Sequence, residues 1–205
     1  MEKMTQVEME TKVMNFLTGM EAKLFSQSPE MEFFGREPIS RDVSCFLRIR
    51  FSIVYLIAKS KFINGVNVED IGQEAKVISS VKCHAGISED RMLHLMRLLM
   101  SASKNIQENM FAEWSSNPEL APQGPFLNLD TLRLLVADCD KEMLTYFSNT
   151  VFSKHQLMSF ILDFHFSHSH LESTFCKNIK VAIFEMLKWR EEKKSNCDTS
   201  ALFFL

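Results

Sequence analysis

The apolar positions of this chain recur at steps of three and four along most of its length, the period of helices with one buried face. Residues 9–24 set Met9, Val13, Phe16, Leu17, Met20 and Leu24 on one such face, which predicts an N-terminal amphipathic helix over 1–26. The stretch after it holds Pro29, Gly35 and Pro38 and predicts a connector over 27–39. Residues 43–58 carry two patterns at once. Leu47, Ile49, Phe51, Ile53 and Tyr55 alternate with Arg48, Arg50 and Ser52, the period of a strand. Ser44, Arg48, Ser52, Tyr55 and Lys59 form a polar stripe at helical period, from which Arg50 alone departs. A run of about 18 residues is long for a strand. Ser40, followed by Arg41 and Asp42, offers a cap with an acid in the first turn. A buried helix is the favoured expectation.

Farther along, Asn67 predicts the cap of a helix carrying Val68, Ile71, Ala75, Ile78 and Val81 and closing near Gly86. Ser88, Glu89 and Asp90 open the longest pattern, which runs through Met92, Leu95, Met96, Leu99, Ser103, Ile106, Met110 and Trp114. Residues 115–127 hold three of the five prolines and predict a loop. Asn128 or Asp130 starts a helix with Leu132, Leu135, Val136, Cys139, Met143 and Phe147 in phase. Ser153 with Gln156, and Ser169 with Glu172, read as capping boxes. The second opens a last helix through Phe175, Ile179, Ala182, Met186 and Trp189. The prediction is all-α: an irregular multi-helix bundle or a short α-solenoid-like array of about seven helices. It is divided as a single domain over 1–205, with a helical core over 40–194 and a tail over 195–205. Leu95, Leu99, Leu135, Phe160 and Ile179, each mid-stripe, are the expected core.

Composition supports helices. Gly and Pro number only six and five, too few for the tight turns of an all-β sandwich. Five scattered cysteines without a CxxC pair suggest a reducing compartment, so an intracellular protein of cytoplasm or nucleus is expected. No stretch reaches the ~20 apolar residues of a membrane span.

Candidate chemistry is sparse. No phosphate-binding glycine loop, HExxH or GxSxG occurs, and Cys83-His84 has no assignable third group. No cofactor is predicted. His165, His168, His170 and Cys176 gather zinc's preferred donors without the spacing of a known zinc module. Two basic stretches, 36–61 (Arg36, Arg41, Arg48, Arg50, Lys59, Lys61) and 177–194 (with Lys177, Lys180, Lys188 and Arg190), would bind nucleic acid if the fold joined them. Met92, Met96 and Met100 form a row that reads as gap-filling core or as an adaptable groove. Leu202, Phe203, Phe204 and Leu205 form an apolar end that predicts docking against the helices or a partner protein. With catalytic signatures absent, the sequence favours a non-catalytic intracellular interaction module, an adaptor or complex subunit. Nucleic-acid association and metal binding are the alternatives.

Overall fold

A computed structural model describes residues 38–81, 88–123, 127–150, 152–163 and 170–200. Among them are six α-helices and no strand: α1, Pro38–Ile63; α2, Ile71–Ser80; α3, Glu89–Ser116; α4, Leu129–Asn149; α5, Lys154–Asp163; and α6, Ser173–Ser200. A 3-10 turn, Pro118–Leu120, follows α3. The expected helix over 1–26, Arg36, Cys83-His84, His165, His168 and the apolar end 201–205 lie outside the described residues.

Residues 43–58 are helical, and burial on two sides explains their mixed pattern. Val43, Leu47, Phe51, Val54 and Ala58 enter the main core, at steps of four, four, three and four. Ile53 and Ile57 face a second cluster with Leu127 and Leu132. A helix wrapped this way shows no clean amphipathic stripe. It starts at Pro38, inside the expected connector; a proline fits the first turn, where its missing N–H leaves no bond unmade.

Helix α1 packs chiefly on α4 and also on α3 and α5, while α6 covers α3 and α5. A solenoid stacks each repeat on its chain neighbours; here the central helix meets elements far along the chain, so the solenoid-like expectation is corrected. Leu95, Leu99, Phe160 and Ile179 are fully buried as expected. Leu135 is only partly buried against the second cluster, because Leu132, one turn earlier, takes the inward position on α4.

Local capping signals are realised where no distant group competes. Ser153 N–H donates to Gln156 Oε1 at 2.9 Å, and Gln156 N–H to Ser153 Oγ at 3.2 Å, a complete capping box before α5. Asn128 Oδ1 accepts from Asp130 N–H at 2.8 Å at the head of α4. Two starts shift. Asp70, not Asn67, caps α2, accepting from Gln73 N–H at 3.0 Å. Helix α6 begins at Ser173; Ser169 of the expected box lies outside the described residues, and Glu172 is bonded to α3, with Asn105 Nδ2 donating to Glu172 Oε1 at 3.3 Å and Glu172 N–H to Asn105 Oδ1 at 3.4 Å. Its far end overruns the expected tail and reaches Ser200, since no Gly or Pro follows Pro125 to stop it. Among the described residues, no helix is long and apolar enough to cross a membrane.

Candidate active site

Residues of four helices line an open cavity of about 340 Å³. Helix α1 offers it Arg50, Val54, Ile57 and Lys61 at steps of four, three and four, one continuous stripe. Helix α3 contributes Met96, Met100, Ser103 and Gln107, also in phase. Asp70, Gln73, Glu74 and Val77 come from α2 and its cap, and Arg133, Val136 and Asp140 from α4. Helix α1 sets two cations in an apolar stripe, whereas the α2 wall is mostly polar.

The polar groups are arranged in pairs. Arg50 and Asp140 are both buried, with Nε donating to Asp140 Oδ1 at 2.7 Å and Nη2 to Oδ2 at 3.5 Å. Arg50 Nη1 donates to Ser103 Oγ at 2.7 Å and to Leu99 O at 3.3 Å. Burial pushes the Asp140 carboxyl up, and the charge and hydrogen bond of Arg50 pull against it. Arg133 pairs with Asp70, whose carboxyl is held below its usual range first by the Gln73 N–H and also by the Arg133 charge. Lys104 pairs with Glu74 at 3.1 Å.

Lys61 is held differently. Its Nζ donates to a neutral group, Val68 O, at 2.6 Å. Burial, assisted by the Arg133 charge, lowers its pKa from the ordinary 10.5. A buried ammonium bonded to a carbonyl keeps donors for an incoming anion. Gln107 supplies a neutral counterpart. Its Nε2 donates to Ser103 O at 2.9 Å, while its Oε1 is buried with no hydrogen-bond partner. Buried acceptors are rarely left unmatched, so this oxygen marks a place for a ligand donor. Burial, then Asp140, pushes the thiol of the neighbouring Cys139 up to about 12, which keeps it protonated.

The basic stretches come apart in the fold. Arg50 and Lys61 turn inward to the cavity, Arg48 is exposed, and Lys59 lies over the Tyr55 ring at 4.4 Å. Arg41 falls in α1. On α6, Lys177 is exposed, Lys180 half-buried and Lys188 placed 3.8 Å from Glu192. Arg190 donates to the carbonyls of Phe147, Ser148 and Thr150, closing the C-terminal end of α4. Of the proposed zinc donors, His170 Nδ1 stands 3.8 Å from Glu113, while Cys176 packs against the main core. Among the described residues no group of three metal-ligating side chains converges. Of the methionine row, Met92 and Met96 are buried in the core, and Met96 and Met100 line the cavity. Sequence reasoning did not bring Asp70, Glu74, Ser103, Lys104, Gln107, Arg133 and Asp140 together. The available signal was polar residues at core phase, of which Arg50 and Ser103 were visible as such.

No family model matches the chain. The monofunctional chorismate mutase of Enterobacter agglomerans is 27% identical over 143 residues, which cover 65% of this chain and 78% of that protein. The crystal structure of a secreted chorismate mutase from Yersinia pestis matches with a TM-score of 0.58 at 26% identity, over 69% of this chain and 93% of that one. Both similar proteins are enzymes, which overturns the expectation of a non-catalytic interaction module, adaptor or complex subunit. A site assembled from separate helices leaves no local motif, so missing motifs were no evidence against catalysis. The expected cytoplasmic or nuclear location is overturned in the same way, since the similar Yersinia pestis protein is secreted. Scattered cysteines need not form disulfides, and their spacing does not fix the compartment.

Proposed function

We propose that this chain is a chorismate mutase and that the cavity between α1, α2, α3 and α4 is its active site, with residues 40–194 acting as one catalytic unit. The observation that carries the reading is the likeness to two chorismate mutases, each covering about two thirds of the chain. The chemistry of the cavity supports it. Chorismate is a small cyclic dicarboxylate with a hydroxyl group, and a mutase rearranges bonds within one molecule. Such a reaction needs neither a nucleophile nor a cofactor; it needs the reactive conformer held and its developing charge matched by fixed donors. Lys61, Arg133 and Arg50 are the cations that meet the two carboxylates. Gln107 Oε1 accepts from the hydroxyl. The apolar stripe of Val54, Ile57, Val77 and Met96 excludes water and strengthens those contacts.

The test is direct. Purified protein is incubated with chorismate and the mixture is followed chromatographically for loss of substrate and gain of its isomer. Lys61→Met and Arg133→Met are expected to lower kcat/KM at least about a hundredfold each, with the helical spectrum unchanged. Folded wild-type protein that leaves chorismate intact removes the reading.

A further inference from the structure

We propose that Asp140 is a positioning residue, whose buried carboxylate fixes the Arg50 guanidinium as an oriented anion donor on the cavity wall. This rests on the mutase reading, which makes Arg50 a substrate-facing cation. A guanidinium has five N–H donors in a planar fork. Four of them are committed here: Nε–H and one Nη2–H to Asp140, and both on Nη1 to Ser103 Oγ and Leu99 O. The hold closes on itself, because Ser103 Oγ donates in turn to Leu99 O at 2.7 Å and so presents its lone pair to Arg50. One N–H, on Nη2, is left for the cavity that Arg50 lines.

Both oxygens of Asp140 are taken by Arg50, so the carboxylate acts through the arginine. Its residue is 6% exposed and that of Arg50 is 2%. At such burial an arginine without its counter-charge has no fixed seat: it turns to other acceptors or draws in water. The pair has a second effect. It cancels the net charge, so the remaining N–H attracts a carboxylate by direction rather than by an open positive field. The rotamer freedom of a long side chain is then lost in folding and not again on binding. Sequence distance makes the arrangement specific to the fold, since the partners lie 90 residues apart on α1 and α4.

Two measurements test this. In the wild-type protein, the Arg50 Nε–H resonance, assigned by its loss in Arg50→Lys, is expected to exchange with water far more slowly than that of exposed Arg48. This needs no variant at residue 140. In Asp140→Asn, which keeps size but removes the charge and one of the two acceptors, the resonance is expected to lose protection. There kcat/KM falls about a hundredfold, carried by KM more than by kcat, because a carboxylate contact is made in ground and transition states alike. Arg50 Nε–H exchanging as fast as Arg48, or a folded Asp140→Asn with wild-type kcat and KM, overturns the proposal. Wild-type protein without mutase activity removes only the mutase reading, because the exchange measurement still reads the hold of Asp140 on Arg50.

Discussion

Lys61 is where burial and charge act most directly on a single group. Its pKa is lowered from 10.5, first by desolvation and then by the Arg133 charge. If the ammonium form receives a substrate carboxylate, kcat/KM declines with rising pH, and the decline sets in below the ordinary lysine range. Lys61→Arg keeps the charge at any pH reached, so its alkaline limb is expected to move upward; a limb unchanged in position would assign the decline to another group. Stability changes in the opposite sense. Between the folded and unfolded pKa values the unfolded chain binds more protons, so lysine titration makes stability rise with pH across that window. At this scale the sequence was half legible. Within residues 43–58 Arg50 stood out as the one polar residue off the helical stripe, and its side chain is turned inward. Gln107 and Asp140 carried no such mark, because in helices this deeply packed a polar residue at core phase is visible only once the core side is known.

Among the elements, α2 depends most on its ends. None of its residues is buried. It is tied by the Asp70 cap, the Asp70–Arg133 pair and the Glu74–Lys104 pair. Asp70→Ala is expected to cost about 1 kcal/mol through the lost cap and to raise amide hydrogen exchange in α2 well above that in α3. Equal exchange increases in both helices would show that α2 does not open on its own. Because the Asp70 carboxyl is held low, its contribution is present above the unfolded carboxylate range and is lost as pH falls through the folded value. Helix α3 is the opposite case. Leu99 is fully buried in the main core and its carbonyl receives Ser103 and Arg50; Leu99→Ala is expected to cost about 2–5 kcal/mol in denaturant unfolding. A loss below about 0.5 kcal/mol would contradict the packing described. Helices whose starts are set by their own residues, such as α4 and α5, were legible from sequence. The start of α6 was not, since Glu172, just before it, bonds to Asn105 from another helix, a contact that no local sequence signal carries.

Across the whole molecule, the cavity draws on α1, α2, α3 and α4, so residues from 50 to 144 share one wall. No window of sequence contains that wall, which is why the all-α class was legible and the site was not. The same fact has a thermodynamic consequence. A dicarboxylate bound between Lys61, Arg133 and Arg50 contacts helices that separate on unfolding, so it binds the folded state alone. At a ligand concentration about 100 times Kd the folded state gains about 2.7 kcal/mol, which for a chain of this size raises the thermal midpoint by roughly 5–10 °C. Chorismate is therefore expected to produce a concentration-dependent upward shift, with Lys61→Met and Arg133→Met each losing most of it at the same concentration. Scanning at several heating rates separates ligand binding from slow irreversible loss. A wild-type midpoint that stays fixed while the protein turns over chorismate would place the substrate elsewhere than between these four helices, because a ligand bridging them must resist their separation.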